Sequence, residues 1–576
     1  TTPNQVSNQL YIRGGSPDQN LVRIDGVRIL NPFHLFGLAA NINPDLVERV
    51  VVSTGGFSAR YGEAISGVID VETKEPAETL AALGNISLLS SKLLLESRST
   101  GKFGWLVSGR RSYHDWAARL IKKELPYHFY DLFGKLSWHL SAKNSFRLST
   151  FYSADVLKVE HEESIELAPC EGIFFEPVGT VKEVVQAGFP WSNFALNFRW
   201  DYAPSDHLQT RLDVNVARTE NTGFDKHEIR DIRLKSGYSL DEIKQCNYVF
   251  QERDFDWNVE NNLTSVSATL AAYWQPAEKL NVHTGMEFTH KNFDYAWKNF
   301  DTEAGNIVAF FDLAPPNFNF KKNDRLASAF FETIYQPSAL LKIQPSLRIE
   351  WRTPAGSRTI SPRLSASFTA TSKLKIKTAL GHYAQGITFL REQGLFGVQE
   401  LFFPMPFTAS SIHAIAGIEY DFALQTKATF ETYYKSFDSQ AIAASSKPEM
   451  AKASGWAYGL EFSLKHKRLQ FIYVFAKVKR DFNNTSYYTP WDIRHRLQLI
   501  DEFSLGRNWT LSFRWAFQTG QPYTPRDSFE NSVVLSYDPR TGEPVYRTRQ
   551  KSISFPNGAI RYPLYHRLDV TISKKL

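Results

Sequence analysis

The sequence predicts an all-β membrane protein, in which a large antiparallel transmembrane β-barrel follows a small α/β domain. Many segments alternate apolar and polar residues with a period of two, as strands do when one face meets an apolar medium and the other a polar one. The connections between these segments alternate between short and long. Phe, Tyr and Trp make up 14% of the 576 residues, an abundance that fits aromatic girdles at the two membrane interfaces.

The alternation of side chains is clearest in the second half of the chain. In the stretch 359–371, Leu364 and Phe368 fall on one face and Arg363 and Ser365 on the other. The pattern recurs in 373–378, 427–435 and 511–518. We count about 20 such strands after residue 82, each near the length that a tilted membrane span needs. The mean hydropathy of −0.33 is compatible with a barrel, because lipid-facing and lumen-facing residues alternate.

The lengths of the connections indicate how the barrel is oriented. Short turns such as 203–207 and 275–279 alternate with long excursions such as 219–259 and 385–409. Short turns at one rim and long loops at the other are typical of outer-membrane barrels, in which the short side is periplasmic.

The N-terminal stretch from Gln9 to Lys74 has a different character. Short β-branched runs are separated by Gly, Pro, Asn and Asp, which indicates a compact α/β unit with tight turns. A polar linker at 73–79 follows it. We therefore divide the chain into an N-terminal domain at 1–78 and a barrel at 79–576.

The N-terminal domain resembles the plug domain of TonB-dependent outer-membrane receptors. Four pieces carry the resemblance in order: IRGG at 12–15, IDGV at 24–27, NPFHLFG at 31–37 and GGFSARYG at 55–62. The third piece is similar to the corresponding piece in a branch of these receptors that is common in Bacteroidota. The resemblance implies a 22-stranded barrel with the plug domain in its lumen, in the outer membrane of a Gram-negative bacterium. It also implies a coupling segment upstream of this sequence, and either two further strands beyond its end or a barrel that closes with the strands present.

By this resemblance, charged plug residues lock the plug domain to the barrel wall. The plug motif residues are Arg13, Gly14, Gly15, Asp25, Gly26, Gly55, Gly56, Arg60, Tyr61 and Gly62. The charged ones among them are expected to pair with barrel charges, because a charge in a partly dehydrated interior must be paired. The alternative is that they are static packing residues.

A second set of residues are candidates for contact with a solute. They are Asn31, His34 and Phe36 in the plug domain, and Phe402 and Phe403 in an apolar run predicted to lie in an outer loop. The alternatives are a hydrogen-bonded loop histidine and a self-packed loop. Cys170 and Cys246 fall in neighbouring predicted outer loops, where oxidising conditions favour a disulfide; two free thiols are the alternative.

These features predict a receptor that binds a scarce solute at its outer loops. By the resemblance, a TonB-type energy-coupling protein would displace the plug domain and admit the solute. The alternative is a structural or accessory subunit of a larger outer-membrane complex, in secretion or surface-protein assembly. Besides outer-membrane lipid, a surface lipoprotein or another outer-membrane protein is an expected partner.

Several function classes are not supported by the sequence. We find no zinc spacing, phosphate loop or dinucleotide-binding turn, and no arrangement of candidate catalytic residues. The net charge of +6 is spread along the chain rather than gathered into a patch for nucleic acid. We therefore expect no enzyme activity, no cofactor, no metal site and no nucleic-acid partner. The fold does not specify which solute is carried.

Overall fold

The computed structural model describes most of the chain, with gaps. The described residues are 10–34, 39–87, 89–99, 101–113, 115–116, 127–167, 177–188, 190–241, 257–298, 318–353, 356–394, 397–423, 425–443, 450–506, 508–523, 528–537, 544–553 and 560–574. Within these ranges, no helix is long and apolar enough to cross a membrane.

The plug domain is built on a small mixed sheet with strand order β2-β1-β4-β3. The strands are β1 (Asn20–Ile24), β2 (Val27–Arg28), β3 (Val47–Ser53) and β4 (Gly67–Thr73). The central strands β1 and β4 are parallel, and the edge strands are antiparallel to their neighbours. Helical structure in the described part of this domain is limited to 3₁₀ turns at Pro17–Gln19 and Pro44–Leu46. The expected α/β character is reduced to these turns because Gly, Pro, Asn and Asp leave no run of helix-forming residues.

Twenty-two strands of the described chain form one closed antiparallel barrel. They are β5 (Ala81–Ile86), β6 (Ser90–Ser99), β7 (Phe103–Ser112), β8 (Tyr127–Ser141), β9 (Asn144–Leu167), β10 (Gly179–Gly188), β11 (Trp191–Ser205), β12 (Leu208–Leu234), β13 (Trp257–Ala277), β14 (Leu280–Lys298), β15 (Phe318–Tyr335), β16 (Leu341–Thr353), β17 (Ser357–Thr369), β18 (Leu374–Gly394), β19 (Gly397–Ala423), β20 (Thr426–Ala443), β21 (Met450–His466), β22 (Leu469–Phe482), β23 (Thr485–Tyr488), β24 (His495–Gly506), β25 (Trp509–Gln518) and β30 (Tyr565–Lys574). Between β25 and β30, β26 (Pro522–Tyr523) pairs with β29 (Ile560–Arg561), and β27 (Ser528–Tyr537) pairs with β28 (Pro544–Ile553).

The barrel closes by pairing β30 with β5. Two of its strands occupy the same position around the barrel as another strand. β10 lies in line with β11, since both pair with β9 and β12 at different heights. β23 lies in line with β24, since both pair with β22. Among the described residues, the barrel therefore has 22 strand segments, which is the predicted number of strands. Because two pairs of segments lie in line, the segments occupy twenty positions around the wall.

Some of the predicted long loops are partly strand. β12 continues to Leu234 inside the predicted loop 219–259, and β18 and β19 fill most of 385–409. These predictions were wrong because long hairpins beyond the membrane can satisfy their backbone groups by pairing with each other. Phe402 and Phe403 consequently belong to β19 rather than to a loop.

The two faces of the wall differ as the sequence predicts. Phe368 is 44% exposed on the outer face, whereas Arg363 of the same strand is 7% exposed and contacts the plug domain. Large exposed apolar side chains recur on the outer face of many strands, among them Leu132, Leu270, Met286, Leu380, Ile412 and Leu568. A band of this kind is what lipid requires.

The plug domain lies inside the barrel and packs against opposite parts of its wall. One apolar cluster joins plug residues such as Val27, Leu46 and Val71 to Leu106 and Phe133 of the wall. The other side of the domain packs on another part of the wall through a second cluster. Its plug members are Leu21, Phe57, Tyr61, Ala64, Ile65 and Val68, and its wall members include Tyr383, Tyr433 and Ala457.

We predict that an arginine is tolerated on the lumen face of β17 and not on its outer face. Leu364 is 48% exposed to the lipid side, so Leu364→Arg should lower the free energy of unfolding in lipid vesicles by about 2–4 kcal/mol. The neighbouring Ser365 lines a polar cavity in the lumen, so Ser365→Arg serves as the matched control and should cost much less. Urea unfolding of both variants in vesicles measures the difference, and equal losses would contradict the assignment of the two faces.

Candidate functional site at the plug–barrel interface

Arg13 of the plug domain forms an ion pair with two carboxylates of the wall. Its Nε and Nη2 donate to Glu461 at 3.0 and 2.6 Å, and Nη2 also contacts Glu431. Its guanidinium lies 4.9 Å from the centroid of the Tyr433 ring. Glu431 and Glu461 are directly opposite each other on β20 and β21, where two like charges repel. Arg13 therefore supplies the positive charge that this pair of carboxylates needs.

The electrostatic surroundings of Arg13 keep it charged although it is buried. Burial acts to lower the pKa of Arg13, but the hydrogen bonds and charges of Glu461 and Glu431 outweigh that effect, and the pKa is raised. The contact is therefore a permanent ion pair at any physiological pH.

A second ion-pair cluster centres on Glu63 of the plug domain. Glu63 accepts a hydrogen bond from Lys291 Nζ at 2.5 Å and contacts Arg352. Both wall cations also donate to Asp324, at 3.3 and 2.5 Å. Arg28 of the plug domain lies 3.6 Å from Glu63, and burial lowers the pKa of Arg28 to about 10. The sequence analysis did not select any of these residues.

His34 lies buried between two wall aspartates. Its Nδ1 is 3.1 Å from Asp155 and its Nε2 is 3.2 Å from Asp131. The ring stacks on Phe129 with the ring centroids 3.9 Å apart. Burial acts to lower the pKa of His34, but the hydrogen bonds to the two aspartates outweigh burial and raise the pKa. The side chain is fully buried, which favours the hydrogen-bonded loop histidine over the role in solute contact.

Asp25 ties the end of the plug sheet to the wall. It accepts hydrogen bonds from the backbone N and the hydroxyl of Thr73, at 2.9 and 2.6 Å. Lys135 Nζ of the wall lies 3.6 Å from Asp25 and donates to the Thr73 carbonyl at 2.9 Å. The adjacent Gly26 has a φ of +93°, a conformation that glycine adopts without strain.

The plug segment 55–66 is held by cationic groups of the wall that bind its main chain. Arg363 donates to the Ser58, Tyr61 and Phe57 carbonyls at 2.6, 3.1 and 3.2 Å. Lys435 donates to the Ser66 carbonyl at 2.7 Å. Every residue has a main-chain carbonyl, so the motif residues do not indicate that wall cations bind this segment.

Arg60 differs from the expected latch residue. Its Nη2 donates to the Tyr61 hydroxyl at 2.5 Å, and its guanidinium lies over the Tyr61 ring. Tyr61 in turn donates to Asp70 at 2.8 Å, and burial together with this carboxylate raises the pKa of Tyr61 to about 12. These contacts link Arg60 to another residue of the plug domain and not to the barrel wall.

The motif glycines lie where the plug domain approaches the wall most closely. Gly56 has a φ of +62°, and a Cβ there would be 2.7 Å from the Ala379 Cβ. Gly55 faces Ile415, Gly14 faces Ala457 and Val478, and Gly62 faces the Arg348 guanidinium. Gly15 instead packs within the plug domain against Ser66.

The remaining candidates for solute contact are only partly placed. The Asn31 carbonyl accepts from Asn41 at 2.7 Å and from Asn193 of the wall at 3.2 Å. Phe36, Cys170 and Cys246 lie outside the described residues, as do the side chains of Phe402 and Phe403. Within the described ranges, no group of three His, Cys, Asp or Glu side chains is arranged to hold a metal ion.

Comparison with known proteins agrees with this architecture. Residues 1–68 match the protein family described as TonB-dependent Receptor Plug Domain. The fold is similar to a mutant ferric enterobactin receptor (PfeA) from Pseudomonas aeruginosa, with 15% identity, a TM-score of 0.60 and coverage of 98% of this chain and 84% of that one.

Two further solved structures have the same fold. The siderophore receptor PirA from Acinetobacter baumannii has 13% identity, a TM-score of 0.60 and coverage of 100% of this chain and 87% of that one. The outer membrane transporter YddB from Escherichia coli has 10% identity, a TM-score of 0.56 and coverage of 94% and 83%. The matched proteins are receptors and transporters rather than enzymes. Residues 1–68 are thus a plug domain of this family, and the whole chain has the plug-and-barrel fold of the TonB-dependent receptors of the Gram-negative outer membrane.

Proposed function

We propose that this chain imports a scarce solute across the outer membrane when a TonB-type periplasmic protein displaces the plug domain. The observation that carries the proposal is the chemistry of the plug–barrel interface. Arg13, Glu63 and His34 each meet oppositely charged wall residues, and water can solvate such groups when they separate. An interface of this kind holds the plug domain in place and still permits its release.

The comparisons support solute import as the purpose of that release. One of the similar proteins is a ferric enterobactin receptor, another is a siderophore receptor and a third is an outer membrane transporter. The piece at 31–37 supports placing this chain in a Bacteroidota-like branch, and a surface lipoprotein is a further proposed partner. We also propose 1–78 and 79–576 as the two domains, with the first barrel strand beginning at Ala81.

The alternative function is an accessory subunit of a larger outer-membrane complex. The long paired extensions of β18 and β19 favour it, since they offer edge and face area to another protein beyond the membrane. In that case the plug domain would stay in place, and inner-membrane energy would have no effect on it.

Energy-dependent exposure of a buried plug residue distinguishes the two functions without knowledge of the solute. Ser66 is fully buried. In a Cys170→Ser, Cys246→Ser background, a Ser66→Cys thiol should react with a maleimide in energised cells and lose that reactivity when the proton gradient is collapsed. Ser141→Cys on an exposed turn is the control and should react equally in both states. Labelling of Ser66→Cys that ignores the gradient, together with co-purifying proteins, would instead support the accessory subunit.

Removing the carboxylates that bind Arg13 should ease release of the plug domain. Glu431 and Glu461 keep 34% and 31% of their side-chain exposure, so we expect a loss of about 2–3 kcal/mol, below that of a fully buried pair. Glu431→Gln with Glu461→Gln should therefore lower the urea concentration at which the protein in a planar bilayer begins to conduct.

The control for this prediction is an ion pair that is exposed. Arg49 and Glu72 pair within the plug domain with 63% and 43% side-chain exposure. Glu72→Gln should change stability by less than about 0.5 kcal/mol and leave the opening concentration unchanged. If the two wall substitutions behave like Glu72→Gln, Arg13 is not a latch.

The contact of His34 with Asp131 and Asp155 predicts a pH dependence. Its pKa in the folded protein is raised above the ordinary 6.5, so its stabilising effect is complete below pH 6.5 and is lost as the pH rises through the raised pKa. Opening should accordingly need more urea at about pH 6 than at about pH 9. His34→Gln keeps a polar side chain of similar length and should remove this difference. An equal pH effect in wild type and variant would assign the effect to other groups.

A further inference from the structure

One sector of the barrel wall is strongly cationic on its lumen side. Along β16, β17 and β18, the described charged side chains that face the lumen include six cations: Lys342, Arg348, Arg352, Arg363, Lys375 and Lys377. The one lumen-facing carboxylate among the described side chains of these strands is Glu350, which pairs with Arg348 at 2.6 Å. The excess of positive charge on these three strands is partly balanced from the flanking strands, where Glu287 pairs with Arg348, Asp324 with Arg352 and Glu419 with Lys377. Arg363, Lys342 and Lys375 have no such carboxylate partner among the described residues.

Another part of the wall is balanced by comparison. On β8, the lower part of β9, and β11, the lumen carries three cations and three carboxylates: Lys135, Arg147, Arg199, Asp131, Asp155 and Asp201. Hydration of the lumen alone does not require charges of one sign to be concentrated on a single sector of the wall. The asymmetry points to a ligand of the opposite charge.

Some cations of this sector already have a role in holding the plug domain. Arg363 binds carbonyls of the segment 55–66, and Arg352 contacts Glu63. Arg348 lies against Gly62 and donates to the Ala59 carbonyl at 3.4 Å. When the plug domain moves away, Arg363 loses its three plug carbonyl acceptors and can bind another anion. Arg348 keeps its contacts with Glu287 and Glu350, and Arg352 keeps its contact with Asp324.

The lysines nearer the short turns have no such role. Lys342 and Lys375 form no ion pair with any described residue, and Lys377 shares Glu419 with Lys427. They line a cavity of about 410 Å³ beneath the plug turn at Val52–Gly55, together with one carboxylate, Glu431. Glu431 is bound to Arg13, so the lysines outnumber the carboxylates at this cavity, and plug binding does not explain their presence.

The plug turn lies between the two groups of cations. Gly55 and Gly56 pack so tightly on Ile415 and Ala379 that a Cβ at either position would come within 2.7 Å of them. Arg363 is on one side of this turn and the lysine-lined cavity is on the other. Displacement of the turn would join the two into one continuous cationic surface.

We propose that the β16–β18 sector is the transit path of an anionic solute, which passes from Arg363 to Lys342 and Lys375 at the periplasmic end. This inference rests on the proposed import function and adds the charge class of the cargo. Carboxylate and phosphate groups share the required chemistry, because Arg and Lys bind both through charge-assisted hydrogen bonds.

Ion selectivity of the opened barrel tests the path with chloride as the probe. The purified full chain is inserted in a planar bilayer, the plug domain is displaced with urea, and the reversal potential is measured across a KCl gradient. The wild type should prefer chloride over potassium. Lys342→Glu with Lys375→Glu should lower the chloride-to-potassium permeability ratio by about threefold or more, because reversing two charges beside the path changes the local ion concentrations. Lys342→Gln with Lys375→Gln should give a permeability ratio between that of the wild type and that of the glutamate variant.

The matched control is Lys102→Glu with Lys143→Glu, which changes the net charge equally on exposed turns of other strands. It should leave the permeability ratio unchanged. An opened barrel that does not prefer chloride, or a ratio that is the same in wild type and Lys342→Glu/Lys375→Glu, would overturn the cationic path. A barrel that urea cannot open at all would overturn the displaceable plug domain, and the path with it, which is a different result from an open but unselective pore.

Discussion

Lipid allows no unpaired backbone group, and this constraint determines the rest of the molecule. Every strand at the membrane must pair on both sides, so the sheet can only end by closing on itself, as β30 does on β5. A closed sheet of this many strands encloses a wide lumen. Because the outer face must be apolar, the polar residues of each strand face inward, and a domain that fills the lumen meets charges on every side. The plug–barrel interface is consequently ionic in large part.

The plug domain meets these charges partly through strained backbone. Arg13, Asp25 and Glu63 are non-glycine residues with φ values of 44°, 46° and 57°. For an L-residue this conformation costs about 1–2 kcal/mol. All three carry a charge and lie within ion-pair distance of oppositely charged wall residues. Strain of this kind persists only where the surroundings fix it. For Arg13 and Asp25 the plug domain itself does so, because each precedes a glycine of positive φ in a tight turn, closed by the Gly15 N–H bond to the Ile12 carbonyl or by the pairing of Ile24 with Val27. The turns therefore present these charges to the wall as part of the plug fold.

The sequence predicted the barrel, its inner and outer faces and the plug motifs, because a period of two and glycine-rich turns are local properties. It placed Arg363 on the polar face of its strand, but it could not show that Arg363 binds plug carbonyls, since a carbonyl acceptor has no sequence signature. Glu63, Lys291 and Asp324 come together from distant positions of the chain, and only the register of the closed sheet creates that contact. His34 was a candidate for solute contact, with a hydrogen-bonded loop histidine as the alternative. The structure favours the alternative, because Asp131 and Asp155 approach His34 from two neighbouring strands, a contact that the sequence does not reveal.

The distribution of apolar contacts favours an opening on one side of the lumen. The plug domain rests on apolar clusters against β6 to β11 and against β18 to β22. Separating either would expose apolar surface to water at about 25 cal/mol per Å². Between them, along β14 to β17, the apolar contacts are smaller, with Ala59 in a cluster with Phe330 and Leu30 packed against a cluster that contains Phe293. The other contacts there include ion pairs and hydrogen bonds to main-chain carbonyls. Water can replace those partners at a lower net cost than it can cover apolar area. A pull that breaks the Arg13 contact would therefore open the plug domain most easily along β14 to β17, without extracting it completely.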